Sequence, residues 1–315
     1  MSSPRAIDCT SVEKARHMIE RPLSHTHRSL RLQTIGAALC WLLIAGCDKA
    51  TYSADRITES LTTICRTEHQ LNVTVRLIGK TLWTYLPLEN GLLDDAMRIS
   101  EEAADAIEHV VLDVHRVTMS TDAPIDFYVV VIADTGKIGA ELTLIGYTQD
   151  VRRARLLDIS RDEYQKRLIR ELKLNPKAIA NQNGSYLQVA DIYMPKFLAE
   201  QVCRRIRIEF QLDPILSNRF DVRSAEWRLD GARFRFLLNI EPRVPDATWR
   251  ASLAEAADVI TDVFRSYNYR RFDSILIEEL NSGTTLELSS ANQLDLLHRG
   301  KLTVDQLALP IPLPQ

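Results

Sequence analysis

The chain is poor in the features that usually announce a chemistry. Five cysteines in 315 residues are too few for a disulfide-built scaffold. Aromatic residues make up 7% and do not interleave with the arginines, which argues against a stacking surface for single-stranded nucleic acid. Neither sign of charge prevails: 39 basic and 42 acidic residues leave a net charge of −3, so there is no electrostatic footprint for nucleic acid. The sequence has no GxSxG elbow, no HExxH pair and no phosphate-binding loop. Asp134-Thr135-Gly136-Lys137-Ile138-Gly139 has glycines and a lysine but joins two strand-like runs. A phosphate cradle would lead into a helix N-terminus, so this stretch is expected to be a hairpin turn. Histidines are sparse. His109 and His115 share a predicted helix but stand six residues apart, about 240° around it, and cannot grip one metal together. No cysteine or histidine cluster has zinc spacing, and no metal or cofactor is expected.

Long apolar runs are also missing, with one exception near the N-terminus. Thr34 to Gly46 is mostly apolar and uncharged, but at thirteen residues it is short of the roughly 20 a spanning helix needs. Arg28 and Arg31 precede it, Ile44-Ala45-Gly46 closes it, and Cys47 follows. A positive region, a short apolar core and small residues at a cleavage point are the order of a secretory signal. The segment resembles the signal peptide and lipobox of bacterial lipoproteins. That resemblance implies cleavage between Gly46 and Cys47 and a lipid on the Cys47 thiol. It places the protein in the bacterial cell envelope, lipid-anchored to a membrane on the periplasmic, extracytoplasmic side. Asp48 resembles an inner-membrane retention signal of enteric lipoproteins, and Met18 is an alternative start. Loss of the signal removes Cys9 and Cys40. Cys65 and Cys203 then remain, either as one disulfide or as two buried thiols on helix faces.

The rest of the chain is written twice. Leu82 to Glu89 matches Phe234 to Glu241 at a separation of 152, with apolar positions largely coinciding. Glu102-Ala103-Ala104-Asp105-Ala106-Ile107 matches Glu255-Ala256-Ala257-Asp258-Val259-Ile260 at 153. Cys65-Arg66 matches Cys203-Arg204 at 138, and Asp158 to Glu163 resembles Lys301 to Gln306 at 143. The order is conserved between the halves while the separations drift, as loop insertions would cause. This is the signature of an internal duplication.

Each half reads α-β-β-α-β-β. In the first, Ile57, Leu61, Ile64 and Cys65 have helical spacing, and Val73, Val75 and Leu77 alternate as on a strand. Thr81 to Leu88 is a second strand. Leu93 to Thr118 is predicted as a long helix from Leu93, Met97, Ala104, Ile107, Val111 and Val114. Phe127 to Ala133 is a β-branched, buried strand, and Glu141 to Thr148 its hairpin partner. In the second half, Ala199, Val202, Cys203, Ile206 and Phe210 mark one helix face. Phe220 to Leu229 and Ala232 to Ile240 flank Asp230-Gly231, a strong hairpin signal. A helix through Leu253, Ala256, Ile260, Val263 and Phe264 follows, then strands Ser274 to Leu280 and Thr284 to Ser289. After each half comes a capping box, Ser160 with Glu163 and Thr303 with Gln306. The first is expected to open a helix from Arg161 to Lys173.

The expected fold is therefore α+β: two tandem α-β-β-α-β-β repeats, each an antiparallel sheet with helices on one face. By element order it resembles permuted ferredoxin-like modules, which occur in envelope assembly and secretion-apparatus proteins. The predicted organisation is a signal peptide at 1–46, a lipidated tether at 47–54, repeat 1 with a trailing helix at 55–174, a linker at 175–195, repeat 2 at 196–309 and a proline-rich tail at 310–315. Trp83 and Tyr85 are candidate residues of an exposed contact face if they point away from Leu82 and Leu86. Arg152, Arg153 and Arg155, then Arg204, Arg205 and Arg207, then Arg270 and Arg271 form basic clusters. They are mixed with acids and read as solvated surface, or as contacts to an anionic partner such as lipid headgroups. Glu278, Glu279 and Glu287, and Glu101 with Glu102, read as solvated carboxylates. No catalytic constellation is expected. The expected function is a non-catalytic, lipid-anchored interaction or assembly module with an envelope protein partner and no nucleic acid. The alternative is a small-ligand-binding lipoprotein with its site between the two repeats.

Overall fold

The computed structural model describes residues 51–310, apart from Lys137 and Asp246. The signal segment, Gly46, Cys47 and residues 311–315 lie outside the described residues, as does the first part of the 47–54 tether.

Helix α1 (Ile57–His69) buries Ile57, Leu61, Ile64 and Cys65 and ends where Gln70 turns left-handed. The alternating run that follows gives β1 (Thr74–Ile78) and β2 (Thr81–Leu88). The next helix, α2 (Glu101–Met119), starts eight residues later than its apolar spacing suggests. Asp94 explains the delay: its carboxylate accepts from the N–H groups of Ala96 and Arg98 and holds a turn. Ser100 then caps the helix through the N–H of Ala103. Strands β3 (Phe127–Asp134) and β4 (Ala140–Tyr147) complete the predicted set.

Three elements extend it. Helix α3 (Thr148–Arg155) follows β4 directly, α4 (Arg161–Arg167) starts at the Ser160 cap, and β5 (Ile169–Leu174) pairs with β4. The helix expected over Arg161 to Lys173 is thus half helix and half strand. Past Arg167 no apolar stripe repeats at helical spacing, and Leu168 is already extended.

The second module repeats this plan. It runs α5 (Met194–Leu212), a short α6 (Pro214–Arg219), β6 (Phe220–Asp230), β7 (Arg233–Pro242), α7 (Trp249–Ser266), β8 (Ser274–Glu279) and β9 (Thr284–Leu288). Then come α8 (Ala291–His298), α9 (Val304–Leu307) and β10 (Ala308–Pro310). Here α8, α9 and β10 stand where α3, α4 and β5 stand in the first module, so the repeat includes a trailing helix pair and an edge strand. Pro310, expected to begin the tail, is the last residue of that strand and lies opposite Thr284.

The architecture is α+β, with two tandem sheet-and-helix modules. The first sheet has the order β1-β2-β3-β4-β5 and the second β10-β9-β8-β7-β6. Every neighbouring pair is antiparallel except β2 with β3 and β7 with β8, which are parallel. This sequential order differs from a permuted ferredoxin-like module, in which a crossover skips a strand. Here α2 and α7 each connect neighbours, and a helical crossover between adjacent strands makes them parallel.

In the first sheet, Leu82, Leu86, Tyr128, Val130 and Ile132 pack beneath α1 and α2. Tyr85, Phe127, Val129, Val131 and Ala133 on the opposite face are buried too, with Ala178, Ile192 and Phe197. Every residue of β3 is buried. The stretch predicted as a linker supplies this second cover. The Tyr85 hydroxyl donates to the Asn181 carbonyl at 2.6 Å, and the Tyr186 hydroxyl donates to Glu141 at 2.7 Å. Asp191 accepts from the Lys80 N–H and the Thr81 hydroxyl at 3.0 and 2.8 Å. Gly184, left-handed at φ +63°, lies flat on Tyr85, where a Cβ would meet the ring at 2.8 Å. In the second sheet, Phe234, Phe236, Leu238, Ile275, Ile277, Leu286 and Leu288 face the helices. The other face carries exposed Arg228, Arg235 and Glu287, half-buried Asn239 and Leu276, and buried Leu237 and Glu278, so it is more open than either face of the first sheet.

Candidate binding groove between the modules

Helix α5 belongs to both modules. Val202, Cys203, Ile206 and Phe210 anchor it in the second core, while Phe197 from its first turn enters the outer face of the first sheet. Phe197 stacks obliquely on Phe127, ring centres 5.1 Å apart, and meets Tyr267 edge-on at 5.7 Å. Beside this aromatic joint lies a buried ion network. Arg167 pairs with Asp150 at 3.0 Å and Glu163 at 2.7 Å, and lies over the Tyr267 ring at 4.9 Å. Its Nη1 also donates to the Ser266 carbonyl at the end of α7. Burial raises the Asp150 carboxyl pKa against the pull of Arg167. Gln201 donates to the Arg167 carbonyl. These contacts fix the position of the two modules.

Next to the joint is a groove of about 570 Å³. Trp83 and Ile145 come from the first sheet, Arg170 and Glu171 from β5, and Trp227 from the edge strand β6. Lys196, Glu200, Arg204 and Ile208 line it from α5 at intervals of four residues, which places them along one face of the helix. Both indole N–H groups are engaged: Trp83 donates to the Ala190 carbonyl at 2.9 Å and Trp227 to Glu200 at 2.8 Å. The Arg204 guanidinium donates to the Arg170 carbonyl. Burial, then the like charges of Arg170 and Arg207, hold the Arg204 pKa below its ordinary value. Arg207 approaches Glu200 at 3.9 Å. The lining thus has four cations against two carboxylates, with two tryptophans, and includes no imidazole, thiol or hydroxyl nucleophile.

The exposed contact face expected at Trp83 and Tyr85 is corrected by these positions. Both point away from Leu82 and Leu86, but Tyr85 is only 3% exposed beneath the connecting segment. Trp83 is half-buried and opens on the groove. The basic clusters divide as well. Arg204 and Arg207 line the groove, Arg205 turns to Glu163 at 3.5 Å, Arg153 to Asp158 at 2.6 Å and Arg270 to Asp295 at 3.1 Å. Among the carboxylates, Glu278 pairs with Arg235 at 2.6 Å, and Glu279 caps the last hairpin through the N–H groups of Asn281 and Ser282. Glu102 accepts from Asn90.

His109 and His115 stand apart, as their spacing requires. Buried His115 contacts the Tyr128 and Tyr164 hydroxyls through Nε2, each at 3.0 Å, and those hydroxyls are 2.6 Å apart. Burial, helped by Arg155, lowers the His115 pKa to about 4. His109 stacks instead on His69, ring centres 4.1 Å apart. Cys65 and Cys203 are free, buried thiols in separate cores, not a disulfide.

Among the described residues no helix is long and apolar enough to cross a membrane. Comparison with family models, with curated proteins and with solved structures finds no match to the chain.

Proposed function

We propose that this is a non-catalytic, lipid-tethered protein of the bacterial envelope that binds an anionic, partly apolar ligand in the groove between its modules. The observation that supports it most is the concentration of Arg170, Lys196, Arg204 and Arg207 around a cavity also lined by Trp83 and Trp227. A bound anion relieves the like-charge crowding, and aromatic surface supplies contact area for an apolar part. The volume is that of a small-molecule site. The tether follows from the lipobox at Cys47 and keeps such a site close to the membrane.

The interaction or assembly role has its own observation. The edge strand β5 exposes Leu172 and Leu174 at 51% and 65%, a surface onto which an extended segment of an envelope protein can add. In that reading the groove receives an acidic side chain of the same partner.

The test uses the full chain, purified from bacterial membranes in detergent, with the anionic dye anilinonaphthalene sulfonate as probe. Saturable binding at one site per chain is expected, weakened at least about tenfold by Arg204→Ala, since a lost charge-assisted contact is worth roughly 1.5–3 kcal/mol. Binding unchanged in Arg204→Ala and Trp227→Phe refutes the groove. Detergent partitioning unchanged by Cys47→Ser refutes the tether.

A further inference from the structure

Helix α3 ends in a turn that carries two leucines into solvent. Leu156 and Leu157 are 80% and 89% exposed, the most exposed large apolar side chains among the described residues. The backbone holds them there. Leu157 is left-handed, at φ +60°. Its N–H donates to the Ala154 carbonyl at 3.2 Å, and the Asp158 N–H donates to the Arg153 carbonyl at 2.8 Å. This is a Schellman cap with leucine at the position that usually holds glycine. The apolar contact that often accompanies such a cap is replaced by an ion pair, Arg153 with Asp158 at 2.6 Å, and both leucines stay unpacked.

The second module builds the same turn from other residues. At the matching separation of 143, Gly300 is left-handed at φ +64° and donates to the Leu297 carbonyl at 2.9 Å, while the Lys301 N–H donates to the Leu296 carbonyl at 2.9 Å. Arg299 and Gly300 stand there in place of Leu156 and Leu157. The turn therefore needs no leucine, and glycine avoids the left-handed strain that Leu157 carries. The charges differ as well. Over residues 152–162 the first turn has four arginines against two aspartates. Arg152, Arg155 and Arg161 are exposed around it and, unlike Arg153 and Arg167, have no ion-pair partner among the described residues. The second turn has Asp295, His298 and Val304 at those three places.

We propose that this turn is a membrane-docking tip: Leu156 and Leu157 enter the boundary of an anionic bilayer while Arg152, Arg155 and Arg161 meet its lipid headgroups. Two leucines at one apex offer far less than the roughly 800 Å² per partner of a stable protein interface, but they suit an acyl boundary that closes around any shape. Arginines beside inserted leucines keep their charge at the level of the headgroups. The tip is separate from the groove and does not need the lipid on Cys47. Where both act, the lipid holds the chain to the membrane and the tip sets which side of it faces the bilayer.

The experiment uses the full chain with Cys9→Ser, Cys40→Ser and Cys47→Ser, in which the remaining Cys65 and Cys203 are buried away from thiol reagents. An environment-sensitive nitrobenzoxadiazole dye is attached at Leu157→Cys or, as the matched control, at Gly300→Cys. Circular dichroism confirms that each variant is folded. With vesicles of phosphatidylglycerol and phosphatidylcholine, the dye at 157 should shift to the blue and the dye at 300 should not. Pure phosphatidylcholine should leave both unshifted. The apolar segment at 34–46 is the same in every variant, so a difference between the two positions belongs to the tip. Arg152→Gln, Arg155→Gln and Arg161→Gln should each raise the lipid concentration for half the shift about fivefold. A dye at 157 that stays unshifted with anionic vesicles, shifts equally with neutral ones, or shifts no more than the dye at 300 overturns the docking tip.

Discussion

The two sheets of this molecule share one plan and sit in different surroundings. The first is buried on both faces, by α1 and α2 on one and by the connecting segment and Phe197 on the other. The second is buried on one, and its other face carries arginines and glutamates. The difference shows in composition before it shows in shape. Phe127 to Ala133 is an unbroken apolar run, whereas Ser274-Ile275-Leu276-Ile277-Glu278-Glu279 alternates more and ends in charge. A strand's sequence records how many of its faces are covered, not only that it is a strand.

Aspartate substitutions break the comparison most sharply. Val131→Asp places an unpaired carboxylate between the first sheet and its upper cover. It should cost roughly 3–5 kcal/mol or more, enough to abolish cooperative folding. Leu276→Asp, half-buried on the open face of the second sheet, should cost under about 1 kcal/mol. Urea unfolding followed by circular dichroism measures both; equal losses would mean that the two faces are not differently covered.

Acid should act next most strongly, and on the first module. His115 is neutral when folded, its pKa lowered to about 4, while the unfolded chain protonates near 6.5. Protonation therefore favours unfolding. The stability owed to neutral His115 is complete above pH 6.5 and is lost as pH falls through 4, by about 3 kcal/mol in all. The residue at the matching separation of 153 is Asn268, which does not titrate. Urea midpoints across this range should fall steeply in the wild type and less steeply in His115→Gln.

A smaller effect tests how the two cores solve one packing problem. Tyr128 faces Gly146 across β3 and β4, and the matching pair across β8 and β9 is Ile275 with Leu288. One module sets a large residue against none, and the other sets two of middle size. A Cβ on Gly146 would collide with the Tyr128 ring. Gly146→Ala should cost roughly 1–3 kcal/mol through overpacking. Combining it with Tyr128→Ile should cost less than the two changes summed, and a double-mutant cycle reads the coupling. Strict additivity would show that the pair does not share one space.

Most of the strand plan was legible in the sequence, because alternation and β-branched runs are local properties. The boundaries of β2 match their reading, and those of the other seven predicted strands fall within a residue or two; β5 and β10 were not expected. Where reading failed, the missing information was not local. The helix expected at Leu93 yields to a turn built by one aspartate, and the expected long helix after Ser160 becomes β5 because β4 offers an unpaired edge. The stretch at 175–195 looked like a linker because it lacks periodicity, yet single side chains pin it to the sheet. The groove leaves one trace in the sequence, the four-residue spacing of Lys196, Glu200, Arg204 and Ile208. Its other wall, Trp83 and Arg170, is more than a hundred residues or a whole strand away and only folding brings it near.

Helix α5 has one further consequence, which concerns time. Synthesis proceeds from the N-terminus, so every strand of the first sheet has been made before Phe197 exists. Until that residue and the segment before it arrive, the Phe127-Val129-Val131 face has no cover. The nascent chain therefore passes through a stage in which its most aggregation-prone surface depends on residues still to be added. A chain stopped near residue 175 would keep that surface for good, so the first module, although it contains a complete sheet, is not a unit the cell can use alone.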